Sequence, residues 1–339
     1  MSDNLRVLVL GCGSIGERHI RCLTQVGGVD VIACDTRAER LAAMSEQYAV
    51  ADTASSYDDV NLGDVQAVMV CTPSDQHIGP ATRAAEAGCH IFVEKPLALS
   101  MEGVDALINL CRQRELVFQV GYVMRHHPNL KEIKALVEIG KIGKVNMVHL
   151  KTGYFIGKYR PEYPELYWAH AATGGGVIWD ASHGLDLIQW LAGAVSHVAA
   201  MRDHFMLDVD SDVEDAAALI LRFANGALGT ASLSNCQQNY KSGVELNGTL
   251  GSIEWAYESG EVRLYTEEDK SWRTHRVEVE RDDLFIAQAR NFLAACRGEQ
   301  HPAVTGMDGK RALMAALAAY EAAESGSIVE IPCCCMCGE

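Results

Sequence analysis

A chain of 339 residues that is 48% hydrophobic and 22% charged has the composition of an ordinary globular protein, with length enough for two domains. Its formal net charge of -16 argues against a nucleic-acid or anionic-membrane surface as the main function. The apolar start is too short and too soon broken by glycine for a leader or a membrane span, and no other stretch reaches membrane length; a cytoplasmic protein is expected.

Residues 5–10, LRVLVL, form an apolar run, as expected of a strand covered on both faces. GCGSIGERH follows at once, so Gly11, Gly13 and Gly16 give G-x-G-x-x-G between a strand and a helix, the dinucleotide fingerprint. Gly11 permits the tight turn, Gly13 removes a side chain that would block a pyrophosphate, and Gly16 lets helix and strand pack closely. Ser14 and Ile15 stand at the positive helix end, where the phosphates would sit on free N–H groups. The next strand, Asp30–Cys34, ends at Asp35, an acid that can accept from both adenosine ribose hydroxyls and repel a 2′-phosphate. NAD is therefore the expected cofactor, with Arg37 and Arg40 close enough to keep NADP open.

Val65–Cys71 reads as another buried strand, ending in Thr72-Pro73 and followed by a helix that carries His77 near its start. Ile91-Phe92-Val93 is a third, running straight into Glu94-Lys95-Pro96. Pro96 has no N–H for a ladder, so it ends the strand and leaves an ammonium group at the carboxyl rim of the sheet, where ligands bind in open parallel sheets. Ser100–Arg114 is expected as a helix with Ser100 as N-cap, and Val117–Gly121 as one more strand. This rhythm predicts a doubly wound parallel sheet over residues 1–124.

After Tyr122 the rhythm changes. A helix opened by Pro128 ends at Gly140, and then strands follow one another with turns between them: Val145–Phe155, Val198–Phe205, Val213–Phe223, Ala227–Asn235, Gly243–Asn247, Ser252–Trp255, Glu261–Tyr265 and Arg273–Val279. Strands joined by turns predict a large, mostly antiparallel sheet in a second α/β domain over 125–332, closed by helices Asp283–Cys296 and Asp308–Ser325. Eight of the 12 cysteines are scattered singly and read as reduced core thiols. The other four crowd a tail, 333–339, read as disordered; their adjacent spacing suits no tetrahedral zinc site, and no metal is expected.

Within the second domain, TGGGVIWDASHGLDLIQWLAG is the informative stretch. Gly174, Gly175 and Gly176 let the chain approach something closely at a helix start. Asp180, His183 and Asp186 are spaced to form one stripe on that helix, and a histidine beside two carboxylates can be tuned as an acid–base group. Upstream, Lys151, Lys158 and Arg160 could meet an anionic substrate, and Tyr154, Tyr159, Tyr163, Tyr167 and Trp168 could wall a sugar.

Taken in order, the glycine fingerprint, Thr72-Pro73 with His77, Glu94-Lys95-Pro96, Gly121-Tyr122 with Arg125, and the triple glycine leading to Asp180, His183 and Asp186 resemble the glucose–fructose oxidoreductase / inositol dehydrogenase / rhizopine-catabolism (Gfo/Idh/MocA) family. The resemblance covers nearly the whole chain. It implies an N-terminal Rossmann domain, a C-terminal α/β domain on a large antiparallel sheet, and a homodimer or homotetramer formed through that sheet. It makes Lys95 the catalytic lysine, His183 the histidine beside it and Asp180 the substrate-binding acid. Thr72, Pro73, His77 and Glu94 would line the cofactor side, and Arg125, Tyr154 and Arg160 the substrate side. The three-residue step from Asp180 to His183, against four in the commoner pattern, resembles a D-x-S-H branch and leaves open whether Asp180 or Asp186 partners the histidine. The activity implied is hydride transfer between nicotinamide and a hydroxyl-bearing carbon of a sugar, cyclitol or sugar nucleotide. An NAD-dependent glycosidase using transient oxidation at C3, and a non-enzymatic NAD(P)-binding regulator, are the alternatives.

Overall fold

The computed structural model describes residues 4–159, 169–206 and 211–332. The chain divides into two compact units, Met1–His126 with Glu280–Lys310, and His127–Val279 with Arg311–Glu339. The strands in chain order are β1 (Leu5–Leu10), β2 (Val29–Cys34), β3 (Asp52–Ala54), β4 (Ala67–Val70), β5 (His90–Val93), β6 (Phe118–Val120), β7 (Val145–Phe155), β8 (Val195–Asp203), β9 (Ala216–Phe223), β10 (Leu228–Ser234), β11 (Cys236–Gly248), β12 (Gly251–Ala256), β13 (Glu261–Thr266), β14 (Trp272–Arg276) and β15 (Val329–Glu330). The helices are α1 (Ser14–Val26), α2 (Ala38–Gln47), α3 (Ile78–Glu86), α4 (Val104–Gln113), α5 (Pro128–Glu138), α6 (Ile156–Tyr159), α7 (Val177–Asp180), α8 (Ser182–Ala192), α9 (Arg281–Cys296) and α10 (Gly306–Ser325).

In the first unit six parallel strands lie in the order β3-β2-β1-β4-β5-β6. Their sequences are near-continuous apolar runs because helices cover both faces. Val7, Val9, Val31, Met69 and Phe92 share one core cluster with Ile20 and Leu23 of α1. The strand order reverses between β1 and β4, and the loops leaving the carboxyl ends of β1, β4 and β5 begin at Gly11, Cys71 and Glu94. That is the switch point at which such sheets bind their ligands.

Two local expectations change. Helix α4 starts at Val104, not at Ser100; Gly103 precedes it with φ 73°. The Ser100 hydroxyl instead accepts from the Glu102 N–H two residues on, a local turn that competes with helix entry. The second domain expected over 125–332 also loses a segment, since Glu280–Lys310 clusters with the first unit. The reason is packing: Ala289, Phe292 and Leu293 of α9 are buried in the core of the parallel sheet.

The second unit holds a nine-stranded sheet in the order β14-β13-β12-β11-β7-β10-β9-β8-β15. β7 and β10 run parallel, and every other recorded pair in it is antiparallel. Alternation is strict on β9, whose Ala217, Leu219, Leu221 and Phe223 are buried while Ala218, Ile220 and Arg222 between them are exposed. On β7 the inward Leu150 lies against α8; a Cβ built on Gly184 would come 2.5 Å from Leu150 Cδ2, so glycine is what lets that helix lie so close to the sheet.

Candidate active site

The first unit builds a dinucleotide turn from three glycines with three different reasons. Gly11 has φ +93°, and a Cβ there would stand 2.7 Å from the Cys71 carbonyl oxygen. A Cβ on Gly16 would meet the Gly11 carbonyl oxygen at 1.8 Å, so helix and turn close only on glycine. A Cβ on Gly13 would meet nothing within 4 Å, which leaves open space above the turn. Crowding explains two of the glycines; clearance for a pyrophosphate explains the third. Ser14 is exposed and Ile15 half-buried at the helix entrance.

Asp35 is buried at the end of β2. Its Oδ2 accepts from Cys12 N–H at 2.8 Å and from Arg37 Nη2 at 3.1 Å, and its Oδ1 accepts from the N–H and Nε of Arg37 at 2.9 and 3.0 Å. Burial alone would raise the Asp35 carboxyl, but the Arg37 and Cys12 donors outweigh it and hold it below the usual range. A carboxylate has about four acceptor sites, and all four are in use. For Asp35 to take ribose hydroxyls the Arg37 guanidinium has to swing away, and its side chain is 50% exposed and can do so. Cys12 beside it is inert, its thiol pushed up to about 12 by burial and by Asp35.

At the rim of β4 and β5 a second set of contacts fixes Lys95. The buried His77 ring lies between two backbone oxygens, Nδ1 2.9 Å from Pro96 O and Nε2 3.0 Å from Thr72 O, and in its neutral form donates to one of them where the loop after β4 meets the loop after β5. Burial lowers the His77 pKa more than those carbonyls raise it. Pro73 precedes the turn that leads to His77. Glu94, also buried, pairs with His19 Nε2 at 2.7 Å and accepts from the Lys95 N–H at 3.0 Å. Burial would raise its carboxyl; the His19 hydrogen bond and charge, then the Lys95 N–H, bring it below the ordinary value. His19 is the final residue of GERH on α1, and no spacing in the sequence points from it to Glu94, 75 residues on. Lys95 itself is half-buried at the carboxyl end of β5. Arg125 is buried and paired with Asp308 at 3.2 Å, with Nη1 reaching Ala303 O at 3.4 Å.

In the second unit the triple glycine forms the expected turn, with Gly174 at φ +87° and Gly176 at φ +111°. The helix after it is broken, however. α7 ends at Asp180, and Ala181 (φ −82°, ψ 13°) separates it from α8. Asp180, His183 and Asp186 therefore do not form one continuous stripe. Asp186 is 1% exposed, buried on the inner side of α8, while Asp180 and His183 are partly exposed. The Asp180 carboxylate accepts from the Tyr154 hydroxyl, and Tyr154 stacks on Tyr240 with ring centroids 6.2 Å apart.

Of the basic residues upstream, Lys151 is exposed on the face of β7 opposite Leu150 and Tyr154, so the strand period points it away from the side that α8 covers. Lys158 donates to Gln238 O at 2.8 Å. Arg160, Tyr163, Tyr167, Trp168 and the Tyr159 side chain, like the cysteine tail, lie outside the described residues. No group of three or more His, Cys, Asp or Glu suited to a metal occurs among the described residues.

Residues 5–122 match the model of an oxidoreductase family's NAD-binding Rossmann fold, and residues 134–331 match the model of the same family's C-terminal alpha/beta domain. The chain belongs to the Gfo/Idh/MocA oxidoreductase family. It is 28% identical over 341 residues to myo-inositol 2-dehydrogenase of Thermotoga maritima, covering 96% of this chain and 98% of that one. It is 28% identical over 195 residues to 2,7-anhydro-N-acetylneuraminate hydratase of Mediterraneibacter gnavus, covering 56% and 51%. Among solved structures, the WlbA dehydrogenase from Bordetella pertussis in complex with NADH and UDP-GlcNAcA is 25% identical with a TM-score of 0.82, covering 97% and 99%. The chain is thus an oxidoreductase with NAD as its cofactor. The turn at Gly11–Gly16 and the acid at Asp35 fit that dinucleotide: the turn is clear above Gly13, and Asp35 ends the second strand.

Proposed function

We propose that this oxidoreductase oxidises or reduces a single carbinol carbon of a sugar, cyclitol or sugar nucleotide, with Lys95, His183 and Asp180 as its catalytic residues. The observation that carries it is Lys95 at the carboxyl end of β5, held by Glu94 and the His77 contact, in an NAD-binding domain. NAD, when bound, supplies the hydride acceptor. Lys95 then hydrogen-bonds the reacting oxygen and stabilises the negative charge that develops on it. His183 takes the hydroxyl proton, and Asp180 holds a neighbouring substrate hydroxyl while Tyr154 fixes its carboxylate. Asp35 favours NAD over NADP, and Arg125 borders the substrate.

A net-redox-neutral use of the same step, oxidation followed by elimination or hydration and return of the hydride, is favoured by the similarity to a hydratase. We also propose a second copy of the chain as partner. Met201, Ile220, Leu228 and Trp272 are exposed, and strand register puts them on one face of the nine-stranded sheet, which supports docking there. The cysteines of the described residues are all free thiols, in keeping with a reducing, cytoplasmic setting.

The test is a panel of myo-inositol, other polyols, sugar acids and UDP- or CMP-sugars with NAD and NADP, read at the reduced-nicotinamide absorbance and by product chromatography. Net reduction of NAD by one class identifies the dehydrogenase. Product without absorbance change identifies the redox-neutral enzyme. Neither product nor absorbance change across the panel overturns the assignment.

A further inference from the structure

We propose that Glu214 is a positioning residue for this reaction: its buried carboxylate fixes the 174–180 turn, and with it the orientation in which Asp180 and His183 are presented, an inference that rests on the roles proposed for those two side chains. Glu214 is 4% exposed and lies just before β9. Its Oε1 accepts from Ile178 N–H at 3.1 Å and from the Tyr320 hydroxyl at 2.7 Å, and its Oε2 accepts from Arg202 Nη1 at 3.1 Å. Its own carbonyl accepts from Val177 N–H at 3.1 Å. Two of the amide donors that the first turn of α7 leaves without helical partners are thus both satisfied by this one residue.

The carboxylate also sits against the turn itself. A Cβ on Gly176 would lie 2.5 Å from Glu214 Oε1, so the carboxylate in this position requires a glycine there. The far side of the knot is anchored in the same unit. Arg202 lies over the Tyr320 ring at 4.9 Å and pairs with Glu324 at 3.2 Å, and Trp179 of α7 packs on Tyr320 with centroids 5.2 Å apart. Burial and the Glu214 charge push the Tyr320 phenol well up, so it stays a donor. Asp180 follows Trp179 directly, its N–H bonded to Gly176 O at 3.0 Å; Ala181 alone separates it from α8, whose second residue is His183. Moving the turn moves both reacting side chains, and a displacement of about 1 Å at such groups costs about a hundredfold in rate.

The test uses Glu214→Gln in the full chain. The amide keeps the volume but places N–H donors against the donors of Tyr320, Arg202 or Ile178. Hydrogen–deuterium exchange of peptides spanning 174–184, NMR titration of the His183 ring, NAD affinity, and kcat and KM for the panel member oxidised best are compared with the parent. The expected result is at least tenfold faster exchange confined to 174–184, a displaced His183 titration, unchanged NAD affinity, and kcat at least tenfold lower with the KM for NAD unchanged. Tyr320→Phe, which removes one bond to Oε1, is expected to give the same pattern more weakly and decides the matter if Glu214→Gln does not fold. Unchanged exchange and an unchanged His183 titration overturn the proposal, as does an unaltered kcat despite a loosened turn. Should no panel member react, the exchange and titration still judge Glu214, whereas the proposed reaction fails separately.

Discussion

His19 and Glu94 form a buried pair, Nε2 to Oε1 at 2.7 Å, and the second oxygen of that carboxylate accepts from the Lys95 N–H. The ring comes from α1 and the acid from the end of β5, so one contact joins the dinucleotide helix to the lysine loop. Glu94→Ala would leave His19 buried without its partner and is expected to cost about 3–5 kcal/mol in urea unfolding at pH 7. The pH dependence has a definite sign. The Glu94 carboxyl is held below its ordinary value, so its contribution is present above about pH 4.3 and lost as pH falls through the folded value. Glu94→Gln is expected to flatten that acid limb; an unaltered limb would show that other carboxylates set it.

The glycines of the turn separate fold from cofactor. Gly16→Ala drives a Cβ into the Gly11 carbonyl and is expected to destabilise the first unit by on the order of 3 kcal/mol. Gly13 has φ −68° and no neighbour within 4 Å of a Cβ. Gly13→Ala is therefore expected to keep the unfolding free energy within about 0.5 kcal/mol of the parent. It should still weaken NAD binding about tenfold or more by calorimetry. Loss of both together in Gly13→Ala would mean the position is structural.

Cofactor choice turns on Asp35 and Arg37. Asp35 is buried but Arg37 is half-exposed, so the pair opens by movement of the arginine. Asp35→Ala is expected to relax the preference for NAD, and Arg37→Ala to leave NAD affinity within about threefold while lowering NADP affinity about tenfold. Tighter binding of NADP than NAD by the parent chain would reverse the assignment.

His127 is the N-cap of α5, accepting from Asn129 N–H at 3.2 Å, and burial takes its pKa from 6.5 down to about 4. The unfolded chain binds the proton more readily, so stability falls as pH drops from about 6.5 toward 4, by roughly 2–3 kcal/mol in all. Asn caps as well and does not titrate there. The difference in melting temperature between His127→Asn and the parent is expected to move in favour of the variant between pH 7 and 4.5; a constant difference would exclude His127 as the titrating group.

Lys95→Ala is expected to abolish turnover of the panel substrate with NAD affinity nearly intact, as the role proposed for the lysine at the reacting oxygen requires. His183→Ala is expected to lower the rate constant of the chemical step and remove the low-pH limb of its pH–rate profile, where a protonated base cannot accept the hydroxyl proton. Equal loss of turnover and NAD affinity in the first, or an unchanged profile in the second, would exclude those roles.

Local chemistry alone determined much of this protein. Apolar runs and turn glycines specify the parallel strands, the fingerprint at Gly11–Gly16 and the acid at Asp35, because strand burial, backbone clearance and proline's missing N–H act over a few residues. The Pro128 start of α5 was equally legible. Only the tertiary structure decided that α9 belongs with the first unit, that Ala181 splits the 177–192 helix, and that Lys151 faces away from α8. It also decided the partners of the buried acids. Glu94 meets a histidine 75 residues away, and Glu214 meets a turn 36 residues back and a tyrosine 106 residues on. Such partners are chosen by the need to satisfy a charge wherever packing has buried it, and no spacing in the chain encodes that.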